Sequence, residues 1–146
     1  MPVPDECFTR HAKRQFAVGE KRSEVRFINK EQHAVEEIVV DGCAINDNGI
    51  RCDHLINIPS IGISVFLEFK GSDIGHAFDQ LKRSYTLLAS VRYTQVYWIV
   101  SSQRCPLTSD EVGQKVRQVR AQTGARLLVR NSPFTLVITS TTIQLT

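Results

Sequence analysis

Two carboxylates and a lysine in the middle of the chain are the residues whose types and spacing best suit a chemical reaction. Glu68 and Lys70 are two residues apart, and Asp53 lies fifteen residues before the glutamate. Side chains two apart on a strand project from the same face, so Glu68 and Lys70 would lie side by side. Mg²⁺ prefers carboxylate ligands, and a neighbouring lysine can orient water or stabilise charge on a phosphate. The set predicts a magnesium site suited to phosphodiester hydrolysis.

Two predicted strands would carry these three side chains. The hydrophobic pattern predicts one strand over 50–58, which contains the aspartate, and another over 64–70, which ends in the glutamate and the lysine. The residues before the glutamate are apolar and look buried, and charged groups beside a core are costly unless they are paired or bind an ion. A plain surface ion pair between the two charged residues is the alternative interpretation.

A helix is predicted directly after the second strand. Ser72 or Asp73 is a suitable N-cap, and apolar residues at three- and four-residue spacing continue to about Val91. Its early turns include Gln80. Further along, the pattern predicts a strand over 95–101, a helix over 109–123 that ends at Gly124, and strands over 126–130 and 136–145.

The first third of the chain is less regular. Residues 1–23 contain two prolines and show little periodicity, which favours a loose arm or a poorly defined helix over 10–18. A strand is predicted over 24–28. Residues 34–45 are rich in β-branched types and read as a strand, although a helix over 31–39 is the competing interpretation.

The order of strands, helix, strand, helix and strands predicts an α/β protein, a mixed β-sheet with helices packed on it in a two-layer or three-layer sandwich. The length of 146 residues suits a single domain over 1–146, with 1–23 as a possible N-terminal arm. Neither G-x-G-x-x-G nor G-x-x-x-x-G-K-[ST] occurs in the chain, which disfavours the dinucleotide-binding and P-loop folds.

The composition is that of an ordinary globular protein, with 42% hydrophobic and 23% charged residues. No apolar run approaches the roughly 18 residues that a membrane span needs, and the N-terminus lacks a secretory pattern. These features predict no membrane contact and, by default, a cytoplasmic location. The net charge of +3 is mild, but basic residues crowd the last third, where they would either attract nucleic-acid phosphates or form a solvated surface: Lys115, Arg117, Arg120, Arg126 and Arg130.

Four cysteines are spread along the chain without a C-x-x-C pair: Cys7, Cys43, Cys52 and Cys105. This spacing predicts neither a zinc ribbon nor a disulfide framework. Buried free thiols are the favoured interpretation.

Three segments together, Arg51-Cys52-Asp53, Leu67 to Gly71 and Ala77 to Leu81, resemble the PD-(D/E)xK nuclease superfamily in order and spacing. The resemblance covers about residues 39–100. It implies a restriction-endonuclease-like fold, an α/β fold with a central mixed β-sheet flanked by helices. It also implies a site in which Asp53 and Glu68 hold Mg²⁺, with Mn²⁺ as a substitute ion. It further implies that Lys70 assists catalysis and that Gln80 helps to orient the site.

The chain departs from that family pattern in two ways. Cys52 stands where the family name has proline. Many members also place an acidic residue in a helix before the first core strand, and Glu36 or Glu37 would match it only if residues 31–39 are helical.

Three further residues near the motif have two interpretations each. Asp41 could join the metal site or begin a turn with Gly42, and the turn is favoured. His76 could contact substrate or could be solvated at the helix start. His54 should project from the opposite face of its strand to Asp53, so it is not assigned to the metal.

The expected function is Mg²⁺-dependent, endonuclease-type hydrolysis of DNA. The alternative is a catalytically inactive module of the same fold that binds nucleic acid or a protein partner. A homodimer is expected because one site cuts one strand and a two-fold axis matches a duplex, although a partner protein could also supply specificity. The segment 136–145 is a candidate sheet edge for pairing between subunits.

Overall fold

The computed structural model describes residues 2–20, 23–70, 73–105 and 107–146. They form a mixed α/β arrangement of two sheets and two α-helices. The strands are β1 (Phe8–His11), β2 (Gln15–Glu20), β3 (Ser23–Ile28), β4 (Val35–Val39), β5 (His54–Ile58), β6 (Ile63–Lys70), β7 (Gln95–Ser102), β8 (Arg126–Asn131), β9 (Phe134–Ile138) and β10 (Ile143–Leu145), and the helices are α1 (Ile74–Leu88) and α2 (Ser109–Thr123).

A six-stranded mixed sheet, in the order β1-β4-β5-β6-β7-β8, forms the centre of the fold. Its first four strands pair antiparallel, whereas β6, β7 and β8 are parallel. Parallel neighbours need crossover connections, which α1 and α2 provide. The carboxyl ends of β6, β7 and β8 therefore meet at one edge of the sheet.

The second sheet has four strands in the order β10-β9-β3-β2. Its central pair is parallel and joins distant parts of the chain, since Val25 of β3 pairs with Phe134 of β9. The outer pairs are antiparallel. Short-range signals could not indicate this sheet as a unit because its middle pairing spans most of the sequence.

A different layer covers each face of the six-stranded sheet. On one face, α1 and α2 bury Ile74, Leu81 and Val119 in a cluster with Phe66 and Trp98. On the other face, the second sheet packs its apolar side chains against those of β5, β6 and β7. The prediction of a mixed sheet is confirmed, but in the described part of the chain the α-helices flank it on one face only.

The two helices follow their predicted signals closely. The Asp73 side chain caps α1 by accepting a hydrogen bond from the His76 backbone N–H at 3.2 Å, and the helix ends at Leu88 instead of Val91 because Ala89 adopts an extended conformation. A reciprocal capping box of Thr108 and Glu111 begins α2. No helix in the described part of the chain is long and apolar enough to cross a membrane.

The N-terminal prediction is wrong. The described residues of the expected loose arm, or helix over 10–18, form β1 at the edge of one sheet and β2 at the edge of the other. In β2, Phe16 and Val18 are buried between exposed neighbours, which is the two-residue period of a strand. The strand β1 pairs with β4, and β2 pairs with β3. Because these pairings hold both strands in place, the residue types within 1–23 gave too weak a signal to predict them.

Other predicted elements differ in type or length. Residues 35–39 form β4, so the favoured strand over 34–45 is shorter than predicted and the competing helix over 31–39 is wrong; pairing with β1 and β5 on both sides fixes this segment as a strand. The predicted strand over 50–58 is regular only from His54. The predicted strand over 136–145 is divided between β9 and β10 by a turn in which the Thr139 N–H donates to the Thr142 carbonyl.

The cysteine prediction is wrong for one pair. Cys7 and Cys43, thirty-six residues apart, form a disulfide that ties the N-terminal segment to the turn after β4. No local spacing signalled it, since the contact arises only when β1 pairs with β4. Cys52 is a buried free thiol as predicted, and Cys105 is free and half-buried. Disulfides are uncommon in reducing compartments such as the cytoplasm, so this bond counts against the expected cytoplasmic location. That location stays a prediction.

Candidate active site

Asp53 and Glu68 lie opposite each other where β5 begins and β6 ends. The antiparallel pairing of these strands places His54 against Leu67, so the preceding aspartate falls beside the glutamate. The Asp53 N–H donates to the Leu67 carbonyl at 3.1 Å, and Asp53 Oδ2 accepts a hydrogen bond from the Phe69 N–H at 2.9 Å. Strand register thus brings together two carboxylates that are fifteen residues apart in sequence.

The backbone of Asp53 is also fixed from the β4 side. Its carbonyl accepts hydrogen bonds from the N–H groups of Val40 at 3.0 Å and Asp41 at 3.3 Å. The aspartate therefore bridges two neighbouring segments of the sheet edge, and its carboxylate has a defined position relative to β6.

Glu68 is the most unusual side chain of the site because it is ionisable and yet only 2% exposed. Its Oε2 lies 3.2 Å from Lys70 Nζ, whereas its Oε1 is buried without a hydrogen-bond partner among the described residues. Burial raises the pKa of Glu68 to about 8; the nearby Asp53 charge adds to the increase and Lys70 opposes it. The carboxyl group is therefore largely protonated at neutral pH unless a cation joins it.

Lys70 connects this buried carboxyl group to the surface. It follows Glu68 on the same face of β6, and its side chain is 20% exposed. In register beside it on β7 is Ser102, which is buried at the carboxyl edge of the parallel strands. The ammonium group can thus contact both Glu68 and a molecule that approaches this edge.

Gln80 approaches the site from α1. Its Nε2 donates to the Arg51 carbonyl at 3.0 Å, two residues before Asp53. This bond fixes the orientation of the amide and leaves Oε1 buried with no partner among the described residues. The structure therefore places Gln80 against the segment that carries the aspartate.

Asp41 does not face the site. Its side chain is 56% exposed and forms an ion pair with Arg51, with 2.8 Å between Oδ1 and Nε. The chain turns at residues 42–44, and Gly42 adopts a left-handed backbone conformation with φ of +76°. The turn interpretation of Asp41 is the one that the structure supports.

Glu36 and Glu37 are also directed elsewhere. They lie within β4, where they pair with Asn57 and Ile56 further along β5 from the aspartate. Glu36 contacts Arg10 at 3.3 Å, and Glu37 contacts His11. Because the segment is a strand, it does not supply the helical acidic residue that the family pattern would require.

The two histidines near the motif make separate contacts. The His54 ring packs edge-on against Phe69 at 5.8 Å between centroids, on the face opposite Glu68, and burial lowers its pKa. His76 is exposed on the first turn of α1. Neither ring is placed against the two carboxylates.

Sequence reasoning missed two residues on α1 that contact the segment before Asp53. Ser84 is fully buried, and its Oγ accepts a hydrogen bond from the Cys52 N–H at 2.7 Å. Arg83 bonds Asp47 and the Ile50 carbonyl. A serine within the apolar stripe, between Leu81 and Leu88, was the available signal, but its partner is visible only in the folded chain.

The site offers two carboxylates to a cation. Within the described ranges, no group of three or more His, Cys, Asp or Glu side chains is arranged to hold a metal ion. Magnesium is commonly held by one or two carboxylates together with water and substrate phosphates. Without a cation, a proton on Glu68 can be shared with Asp53, and once Glu68 is ionised its buried Oε1 is free to contact such an ion.

Basic residues occupy the same layer as the site. Lys115, Arg117 and Arg120 lie on α2, which covers the same face of the sheet as α1, and Lys115 Nζ is 5.1 Å from the centre of the Phe78 ring on α1. Lys115 therefore lies beside α1, whereas Arg120 donates to the Gly124 carbonyl at the end of α2.

Comparison of the chain with protein-family models, with curated proteins and with solved structures found no match.

Proposed function

We propose that this chain is a divalent-cation-dependent nuclease that hydrolyses phosphodiester bonds of DNA, a restriction-endonuclease-like protein of the PD-(D/E)xK type. The observation that carries the proposal is the buried Glu68 oxygen, which has no partner among the described residues and lies beside Asp53. Ionising Glu68 beside Asp53 would leave the buried site with two negative charges and only one lysine, which burial opposes. A divalent cation would replace the Glu68 proton and favour the ionised pair.

Each residue of the site has a role in this proposal. Asp53 and Glu68 would hold the ion, and a bound Mg²⁺ would supply Lewis-acid stabilisation of the charge that develops on the phosphate. Lys70, at the partly exposed edge, donates a hydrogen bond to a phosphate oxygen or to the attacking water. Gln80 holds the Arg51 carbonyl and so supports the aspartate.

The reaction needs no group beyond these and water. The water oxygen forms a bond to phosphorus and gives up one proton to solvent, while the ester bond to the leaving sugar oxygen breaks and that oxygen takes up one proton from solvent. The carboxyl edge of β6, β7 and β8 suits this reaction because ligands of open α/β sheets bind outside the carboxyl ends of the strands. Basic residues on α2 would attract the DNA backbone by counterion release.

The test is cleavage of supercoiled, linear and branched DNA with Mg²⁺ or Mn²⁺. We expect Glu68→Ala and Lys70→Ala to lower the rate at least about a hundredfold, whereas Glu24→Gln, which changes a carboxylate on the second sheet, should leave it unchanged. Activity in all four proteins, or in none of them on any substrate, would overturn the proposal.

A second candidate is a catalytically inactive module that binds nucleic acid or a partner protein. The contact between Glu68 and Lys70 favours it, because a protonated glutamate hydrogen-bonded by lysine is stable without metal. This candidate predicts salt-dependent DNA binding that Mn²⁺ does not change, together with no cleavage.

We further propose a homodimer, which would place two sites on the two strands of a duplex. The structure gives this proposal one element of support, since β10 forms an edge of the four-stranded sheet. Sedimentation equilibrium at increasing concentration should detect the dimer, and a strict monomer at the highest concentration would contradict it.

A further inference from the structure

We infer that Arg83 and Ser84 are positioning residues that, with Gln80, clamp residues 47–52 onto α1 and thereby set the position of Asp53 relative to Glu68. We call residues 47–52 the clamped segment. The inference rests on the proposed function in treating Asp53 and Glu68 as the metal ligands.

The clamped segment has no regular structure of its own. Residues 47–49 form a bend, residues 50–52 belong to no helix or strand, and pairing with β6 becomes regular only at His54. Backbone ladders therefore do not determine where this segment lies, although it leads directly into the aspartate.

Side chains of α1 supply the missing contacts. Arg83 forms a two-point contact with Asp47, with Nη2 to Oδ2 at 2.6 Å and Nη1 to Oδ1 at 3.1 Å, and also donates to the Ile50 carbonyl at 2.8 Å. Gln80 donates to the Arg51 carbonyl, and Ser84 accepts from the Cys52 N–H. Positions 80, 83 and 84 lie on one side of a helix, so a single face holds the whole segment.

Hydrogen bonds from Arg51 also connect residues within the clamped segment. Arg51 Nη1 donates to the carbonyls of Asp47 at 2.5 Å and Gly49 at 3.0 Å, while its Nε contacts Asp41. A shift at Arg83 would therefore move the segment as a unit instead of being absorbed by one flexible loop tip.

Helix α1 is the element best placed to relate the two carboxylates. It begins at Ile74, four residues after the end of β6, and packs on that strand, so its position follows that of Glu68. Through its clamp it also holds the backbone that precedes Asp53. The spacing between the carboxylates thus depends on α1 as well as on the pairing of β5 with β6.

The two clamp residues contribute in different ways. The Ser84 bond is buried, so its loss leaves the Cys52 N–H without a partner in the core. The contact between Arg83 and Asp47 is partly exposed but directional, because a guanidinium group matches a carboxylate at two points. Small displacements of a catalytic group can cost about a hundredfold in rate.

The position of Asp53 can be read directly from one backbone amide. The Phe69 N–H donates to Asp53 Oδ2, so its hydrogen exchange reports whether the carboxylate is in place. In Arg83→Gln and Ser84→Ala we expect faster exchange at Phe69, by about tenfold or more, with Leu67 and Val65 on the same strand unchanged. Arg92→Gln, an exposed arginine in the turn after α1, is the matched control.

A charge-exchanged pair separates positioning from general stability. Arg83→Asp should accelerate exchange at Phe69 and weaken Mn²⁺ binding, and the added change Asp47→Arg should restore both at least in part. In cleavage assays, the single variants should lower kcat about tenfold to a hundredfold with little change in KM.

Unaltered exchange at Phe69 in both Arg83→Gln and Ser84→Ala would overturn the positioning role, whether or not the chain cleaves DNA. A uniform acceleration along β6 would also overturn it, because that result indicates general loosening. Altered exchange at Phe69 without any Mn²⁺ binding by the wild type would leave the clamp in place but overturn the proposed nuclease function.

Discussion

The two faces of the six-stranded sheet both bury large apolar clusters but differ in their buried polar groups. The face covered by the second sheet buries a continuous apolar cluster that includes Phe16, Phe27 and Leu136. The face covered by the helices contains the buried groups that lack partners among the described residues: Glu68 Oε1, Gln80 Oε1 and Trp98 Nε1. Unsatisfied polar groups reduce stability, so their concentration on one face supports the proposal that the functional site lies there.

The largest expected effect on stability is on the face that the second sheet covers. Phe27 is fully buried and stacks on Phe16 with 4.9 Å between ring centroids. Replacing it with alanine should lower the free energy of unfolding by about 3–5 kcal/mol. Urea denaturation measures the loss, and cleavage per folded molecule should be unchanged. A loss of cleavage without a loss of stability would contradict the separation of stability and cleavage between the two faces.

A smaller effect of opposite sign is expected on the helix-covered face. In the absence of metal, Glu68 holds a proton up to about pH 8 in the folded protein but loses it near its ordinary value of 4.5 in the unfolded chain. The folded state binds more protons between these values, so stability should fall as pH rises from about 4.5 to 8. The Glu68→Gln variant has no proton to lose at this position, so its stability should not show this pH dependence.

The variant should therefore be more stable than the wild type at pH 8 and similar to it at pH 5. The gain should grow steadily from pH 5 to pH 8, because over this range the unfolded wild type has lost its Glu68 proton whereas the folded state still holds it. Thermal melts in EDTA across this pH range measure it. Equal melting temperatures of both proteins at every pH would contradict the assignment of a buried, protonated Glu68.

The smallest effect is expected at Asp41, which lies near the site in sequence but faces solvent. Asp41→Asn removes an exposed ion pair with Arg51 and should change stability by less than about 1 kcal/mol. Mn²⁺ affinity should be unchanged. A tenfold loss of Mn²⁺ affinity in this variant would return Asp41 to the metal site.

The sequence was informative wherever the controlling interactions are local. The limits of α2 follow from its capping box and Gly124, and the paired projection of Glu68 and Lys70 follows from the two-residue period of β6. The opposition of Asp53 and Glu68 required only that two successive strands pair antiparallel.

The remaining features depend on contacts between distant segments. The strands β1 and β2 have little local signal and are held by β4 and β3, and the bond between Cys7 and Cys43 follows from the first of these pairings. The contacts of Arg83 and Ser84 with the clamped segment join a helix to an irregular stretch more than thirty residues earlier. Periodicity and propensity carry no information about such pairs.

The central claim is that Glu68 exchanges its proton for a cation, and calorimetric titration of Mn²⁺ at pH 7 tests it most directly. Measured in two buffers of different ionisation enthalpy, the wild type should bind one ion and release close to one proton, because the Glu68 pKa of about 8 keeps the free site protonated. Glu68→Gln should bind no ion. No Mn²⁺ binding by the wild type, or equal binding by both proteins, would contradict the account.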